Sequence, residues 1–393
     1  MQTFYIIGIS DDRNQFLSPE IRNLVSQGKV FSGGKRHHEL VHAYLPEDAV
    51  WIDITVPLDA VFCRYEEHSE IIVFASGDPL FFGFANTVMR KLPSAKIILF
   101  PTFNSLQMLA HRILLPYQEM QTLSLTGRPW DAFDSALIRG DKLIGVLTDR
   151  EKTPATIAAR MLEYGYDNYR MIVGEALGNG EEESVRTFSL EEASQSAFRF
   201  PNCLILQRNK VHPRPFGIPE SEFHLLNGRN RMITKMPVRL LTLSMLTLRE
   251  KKSFWDIGFC TGSVSIEAKL QFPELKVTAF EQRPEGKELM ARNSRKFGTP
   301  GITTVMGDFL ETELGGLPAP DAVFIGGHGG KMIEILQKIK EVLLPDGVIV
   351  FNSVSEESKA LFTKGITQIN KKVTQCTRIA VDTFNPIEIM RAE

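Results

Sequence analysis

The run Phe254-Trp255-Asp256-Ile257-Gly258-Phe259-Cys260-Thr261-Gly262-Ser263 offers the clearest chemistry in the chain. An apolar stretch ends in an acid, and a glycine-bearing loop then opens a helical pattern. Gly258 and Gly262 allow a ligand to approach the backbone closely. The helix start would present free N–H groups. Glu281 ends the next apolar stretch, where an acid can accept hydrogen bonds from ribose hydroxyls. Gly307-Asp308 ends a third, where an adenine edge would lie. An ordinary strand–loop–helix turn does not explain suitable groups at three consecutive strand ends.

Two ligand classes compete for this site. Dinucleotide sites use G-x-G-x-x-G to admit a pyrophosphate onto the helix start. Here the spacing is Gly258-x-x-x-Gly262, and Asp256 stands at the entrance. An acid there repels pyrophosphate but suits the ammonium of a methionine moiety. The pattern therefore favours S-adenosylmethionine (SAM).

The elements that must hold these residues alternate between strand and helix patterns, which predicts an α/β architecture. In the second half, strands are expected at 253–257, 276–281, 303–306, 322–325 and 348–352. Helices are expected at 237–248, 263–271, 284–296 and 331–343, with two closing strands near 366–373 and 377–389. This describes a doubly wound sheet with an antiparallel end. In the first half, strands are expected at 4–9, 71–75, 97–100, 143–147 and 169–173, with a helix at 154–164. Residues 116–128 would join two lobes. Between the halves, Gln207–Glu220 holds three prolines and one glycine and breaks all periodicity. The expected domains are 1–208, a linker at 209–219, and 220–393.

The 393 residues exceed one average domain, and 43% of them are apolar. Lys+Arg of 45 against Asp+Glu of 47 argues against bulk nucleic-acid binding. The four cysteines form no C-x-x-C pair, so no disulfide framework or zinc knuckle is indicated. The N-terminal sequence reads as a first strand rather than a signal peptide. No apolar run of ~18 residues suggests a membrane span. A reduced, cytoplasmic setting is the expectation.

His38-Glu39-Leu40-Val41-His42 matches H-E-x-x-H, but that chemistry needs both histidines on one helix face and a third ligand. Pro46 keeps the helix short, and a Gly-Gly turn precedes it. No metal is expected. Cys260 has no readable partner for a nucleophile's role.

From about Phe216 onward the chain resembles the decarboxylating C15-methyltransferase domain of cobalamin biosynthesis. The residues that carry this are Gly217-Ile218-Pro219, Thr234-Lys235 with Arg239, Asp256–Ser265 with Ile266-Glu267, Pro320-Asp321 to Gly326-Gly327, and Pro345-Asp346-Gly347. Such domains usually carry glycine where this chain has Cys260. The resemblance implies a Rossmann-like (class I) SAM methyltransferase fold. Its cofactor-binding residues would be Thr234, Asp256, Gly258, Phe259, Cys260, Thr261, Gly262, Glu281, Asp308 and Phe309.

Residues 1–208 resemble the two-lobed tetrapyrrole methyltransferases of the precorrin C5 type. The resemblance rests on Gly33-Gly34-Lys35-Arg36-His37, Ser76-Gly77-Asp78-Pro79-Leu80-Phe81-Phe82-Gly83, Pro101–Ser105 and Ser124-Leu125-Thr126-Gly127-Arg128. It implies SAM held largely by backbone near Asp78, Phe81, Ser105 and Leu106. The first-strand loop reads Gly8-Ile9-Ser10-Asp11-Asp12, where the family usually has G-x-G-x-G.

The joined halves resemble the fused, decarboxylating C5,15-methyltransferases. That resemblance implies methylation of precorrin-6B at C5 and C15, with loss of the C12 acetate carboxylate, giving precorrin-8X. Both resembled families commonly self-associate, so a homo-oligomer is expected. The substrate's carboxylates call for clustered cations. The candidates are Lys35, Arg36, His37 and His38; Arg128; Arg229, Arg231, Lys235 and Arg239; and His328 with Lys331. No catalytic acid or base is assigned. A cobalt-bearing precorrin, another acceptor such as RNA, or a non-catalytic corrinoid scaffold are the alternative readings.

Overall fold

The protein is described from a computed structural model that covers residues 1–227, 229, 232–381 and 385–393. Its contacts divide the chain into two compact units. One comprises 1–128, 142–159 and 169–209, and the other 129–141, 160–168 and 210–393.

The first unit contains two sheets. Strands β1 (Thr3–Ile9), β2 (Val30–Gly33), β3 (Val50–Asp53), β4 (Glu70–Ser76) and β5 (Lys96–Phe100) pair in the order β3-β2-β4-β1-β5. Every pairing in this sheet is parallel. The central strands β1 and β4 are accordingly near-continuous apolar runs, with Phe4, Ile6, Ile71, Val73 and Phe74 fully buried. Strands β6 (Gln121–Ser124), β7 (Leu143–Leu147), β8 (Tyr169–Glu175), β9 (Ser184–Phe188) and β10 (Asn202–Arg208) form the second sheet, ordered β6-β7-β10-β8-β9. Only its β6–β7 pair is parallel. The helix Ser105–Arg112 buries Leu106 and Leu109 with Leu143, Ile172 and Ile205 of this second sheet. Asn104 caps that helix by accepting from Gln107 N–H at 2.9 Å.

The second unit holds a seven-stranded sheet. Its strands are β11 (Ser253–Ile257), β12 (Lys276–Glu281), β13 (Ile302–Met306), β14 (Ala322–Ile325), β15 (Val348–Ser353), β16 (Val373–Ile379) and β17 (Ile387–Ala392). They run in the order β13-β12-β11-β14-β15-β17-β16. The first five are parallel, and β17 pairs antiparallel with both β15 and β16. The strand order reverses at β11, which leaves a crevice beyond its carboxyl end. Trp255 is fully buried in β11, its indole N–H donating to Pro318 O at 3.0 Å. Its ring packs against Phe280 and Phe309.

The two closing strands differ from expectation. Residues 366–368 end a helix, Glu356–Gln368, and the expected strand 377–389 is a hairpin pair, β16 and β17. Phe362, Gly365 and Ile366 recur on one helical face and are buried. Ser355 fixes the helix start by accepting from Ser358 N–H at 3.2 Å. No helix among the described residues is long and apolar enough to cross a membrane.

Candidate functional site

The residues after β11 are folded by backbone conformations that side chains resist. Gly258 has φ +78°, and a Cβ there would lie 2.9 Å from Gly327 N. Gly262 has φ +76°, and a Cβ would meet Met290 Sδ at 2.5 Å. Gly258 is therefore needed for backbone-to-backbone approach, and Gly262 for its left-handed backbone, since the flexible end of Met290 could move aside. Cys260 between them also has positive φ, +52°. Its N–H donates to Glu281 Oε2 at 2.9 Å, and its thiol donates to Met232 O at 3.2 Å. Burial, with the Glu281 charge nearby, pushes the Cys260 thiol up, so it is not poised as a thiolate nucleophile. The conformation asks for glycine. Cys260→Gly should thus bind S-adenosylhomocysteine (SAH) at least as well as the parent. Cys260→Val, β-branched in the left-handed region, should cost about 1–2 kcal/mol in stability. Thermal melts and calorimetric titration of the two variants check this, and a Val variant as stable as the parent would contradict it.

The loop borders a cavity of about 760 Å³, a normal size for a small-molecule site. Thr234, Asp256, Gly258, Phe259, Cys260, Thr261, Glu281, Asp308 and Phe309 all line it. Gly262 acts from behind through its backbone. Lys235 and His328 line it too, with Arg283 and Lys331.

Asp256 is the centre of this cavity's electrostatics. It is fully buried. Its Oδ2 accepts from Ser265 Oγ at 2.6 Å and Ser265 N at 3.2 Å. Its Oδ1 is buried without a hydrogen-bond partner, as is Thr261 Oγ1. Desolvation raises the Asp256 carboxyl to about 7. A buried acid oxygen that lacks a donor is costly unless a ligand supplies one. Glu281 accepts Arg283 N–H at 3.0 Å on Oε1, besides the Cys260 N–H on Oε2. Asp308 accepts Leu310 N–H at 2.9 Å and pairs with Lys331 Nζ at 2.8 Å, which holds its carboxyl below the usual range. His328 Nδ1 accepts from Gly330 N–H at 3.2 Å, and burial lowers its pKa. It offers a neutral Nε2–H rather than the cation expected of it.

Of the expected cation group before the loop, Lys235 lines the cavity and Arg229 is exposed. Arg231 lies outside the described residues. Arg239 does not bind substrate carboxylates, because it is fully buried and bonded within the fold. It pairs with Glu267, itself fully buried, and donates to Thr234 O at 2.8 Å and to Ile218 O. Its guanidinium stands 5.1 Å from the Phe223 ring centre. The sequence reading missed Asn352, Val354, Asn385 and Pro386, which also line the cavity. Asn352 was findable, since it ends the expected strand 348–352, at the same carboxyl edge of the sheet as the other site residues. Asn385-Pro386 was not, because the apolar pattern places both inside one expected strand, 377–389, whereas they precede β17.

In the first unit, the expected motifs meet at the ends of β1, β4 and β5. A Cβ at Gly8 would lie 1.9 Å from Gly77 O, and one at Gly77 would lie 2.8 Å from Asn104 Cα. These contacts bring the loop after Ser76 against the segment before Ser105. Asp78 accepts from Leu80 N–H at 2.8 Å. Phe81 is half-buried and edge-on to Phe82. The Leu106 side chain is fully buried in the core, so only its backbone could serve a ligand. Arg128 lies over the Phe82 ring at 5.1 Å, and Phe82 itself has φ +54°. Lys35 is exposed. Arg36 pairs with Asp11 at 3.3 Å. His37 is held at about 4 by burial and the adjacent Arg36, so it is neutral and not one of the expected cations. His38 stacks on Trp51 at 4.2 Å. Among the described residues, no group of three or more His, Cys, Asp or Glu could hold a metal ion.

Residues 227–392 match the model of the precorrin methyltransferase domain family. Over 371 residues the chain is 33% identical to a precorrin-6Y C(5,15)-methyltransferase [decarboxylating] from Sinorhizobium sp., covering 91% of this chain and 86% of that one. The second half is also 34% identical to a cobalt-precorrin-6B C(15)-methyltransferase (decarboxylating) from Salmonella typhimurium, over 41% of this chain and 83% of that one. A solved precorrin-6Y C5,15-methyltransferase from Geobacter metallireducens GS-15 aligns with 33% identity and a TM-score of 0.42, over 47% of this chain and 99% of that one. The chain therefore belongs to the precorrin-6Y C(5,15)-methyltransferase (decarboxylating) family, methyltransferases of cobalamin biosynthesis.

Proposed function

We propose that the protein methylates precorrin-6B at C5 and C15 and removes the carboxylate of its C12 acetate, giving precorrin-8X, with SAM as methyl donor at both carbons. The first half, about 1–208, is assigned C5. The second, about 220–393, is assigned C15 and the decarboxylation. The observation that carries the cofactor assignment is the buried, unpartnered Asp256 Oδ1 at the wall of a glycine-lined cavity. It fits the ammonium of SAM and would repel a pyrophosphate.

When bound, SAM supplies an already activated methyl group. The chain's own residues then have to align it and exclude water. Asp256 would hold the ammonium, Glu281 the ribose and Asp308 the adenine edge, with Phe309 lining the same cavity. The methyl acceptor is an electron-rich meso carbon, so no strong base is needed. Decarboxylation breaks the bond between the acetate methylene and its carboxylate. The electron pair passes into the conjugated macrocycle, carbon dioxide leaves, and a proton completes the new methyl group. Lys235, Arg283 and Lys331 supply positive charge at the cavity wall for the carboxylates that remain.

Mass spectrometry of the product from precorrin-6B and SAM tests this reading. Two added methyl groups with loss of carbon dioxide are expected. An unchanged substrate would overturn the reading. Relatives of the second half are named for a cobalt-bearing substrate, so the cobalt form is run in parallel. Turnover of that form alone would move the assignment to it.

A further inference from the structure

Ser76 ends β4 and bonds to Arg36 and His37. His37 Nε2 lies 2.8 Å from Ser76 Oγ. Arg36 Nη2 donates to the same oxygen at 3.3 Å. On the far side of the imidazole, Gly34 N–H donates to His37 Nδ1 at 3.2 Å.

A histidine touching a serine suggests a nucleophile with its base, but the bonding polarity here is the reverse. Nδ1 accepts from a backbone N–H, so a neutral ring must carry its proton on Nε2. The ring is neutral, because burial and Arg36 hold His37 at about 4. His37 therefore donates to Ser76 and cannot take its proton. Arg36 donates to Ser76 as well. A hydroxyl has two acceptor sites and one donor. Both acceptor sites are filled, and no acceptor for the Ser76 proton occurs among the described residues.

We infer that Ser76 is a substrate-binding residue of the first half, an obligatory donor that takes a carboxylate oxygen of the tetrapyrrole, with His37 as the residue that positions it. The inference rests on the reading of the first half as a tetrapyrrole methyltransferase. A carboxylate is the matching partner because it accepts only, and because the Arg36 guanidinium lies beside the same hydroxyl. The Arg36 charge is kept in place by Asp11, which belongs to the loop where this chain departs from the glycine-rich pattern. Ser76 is exposed, so a ligand can reach it. The neighbouring Gly77 and Asp78 belong to the segment assigned to SAM, which puts this donor next to the methyl source.

The test uses the full chain with precorrin-6B and SAM and follows C5 and C15 methylation separately in each product. Ser76→Ala should lower C5 methylation at sub-saturating substrate by about tenfold or more, as expected for loss of a hydrogen bond to a charged group. C15 methylation and decarboxylation should be unaffected, and SAH binding retained at the first-half site shows that this half is folded. The loss should appear in KM more than in kcat, and Ser76→Thr, which keeps the hydroxyl, should restore most of it. His37→Gln, whose amide can still donate, should keep more C5 activity than His37→Leu. C5 methylation equal to the parent in Ser76→Ala would overturn the inference and leave the functional reading intact. Loss of SAH binding together with C5 activity would also overturn it, by making Ser76 part of the cofactor site or the fold. A parent protein that makes no C5-methylated product would refute the reading of the first half, and the inference with it.

Discussion

Asp256→Asn should make the ligand-free protein more stable at pH 8 and weaken its binding of SAH by tenfold or more. Both effects follow from one buried carboxyl. In the fold it titrates at about 7, against 3.8 for a free side chain. The folded state therefore holds a proton that the unfolded state has released, and stability falls as pH rises from about 4 to about 7. Above 7 the penalty is complete and flat, on the order of 4 kcal/mol. Asparagine carries no charge and avoids it. The stability difference between variant and parent should open across that interval and then level off. Binding runs the other way, because the ionised acid pairs with the ligand's ammonium. SAH affinity of the second half of the parent should fall as pH drops below 7, while the variant loses that dependence. Urea titrations and calorimetry at pH 5 and pH 8 measure both. A variant that binds SAH as tightly as the parent at pH 8 would remove Asp256 from the cofactor site.

Arg239→Ala should destabilise the second half by about 3–5 kcal/mol, the usual result of stranding one member of a buried ion pair. Its partner Glu267 would keep only the Gly217 N–H, and the carbonyls of Thr234 and Ile218 would lose their donor. Replacing both charges, as in Arg239→Met with Glu267→Met, should recover part of the loss. Chemical denaturation reads the effect directly. A fully stable Arg239→Ala protein with weakened tetrapyrrole binding would restore the ligand role that burial denies it. The pair ties the chain at 217–218 and 234 to the helix Ser263–Gln271, so it braces the approach to the cofactor loop rather than touching a ligand.

The alternation of elements and the cofactor loop were legible because each leaves a local signature. Buried parallel strands such as Ser253–Ile257 are unbroken apolar runs, and an acid or a glycine-bearing loop at the end of each reports the edge where a ligand sits. The helix Glu356–Gln368 was less legible, since Gly365 and Thr367 weaken its pattern and buried and exposed positions are mixed. The roles of charged residues were the least legible. Arg239 and Lys235 lie four residues apart, yet one is sealed in the core and the other lines the cavity. Sequence spacing cannot separate them, because burial is decided by Glu267 and Phe223, which are distant in the chain. Likewise His37 has the sequence of a cation in a basic run, and only its packing makes it neutral.

The position of β17 bears on the order of events as the chain is made. It follows β16 in sequence but lies between β15 and β16, and among the described residues β16 pairs with no other strand. During synthesis, the five parallel strands can assemble while β16 waits unpaired, its backbone groups satisfied only by water. Arrival of β17 closes that gap and, through Asn385 and Pro386, brings in a wall of the cavity at the same moment. Completion of the sheet thus also completes the lining of the second-half cavity. A ribosome-bound chain halted just after β16 should expose an adhesive edge and hold SAH less well in its second half than the finished chain does.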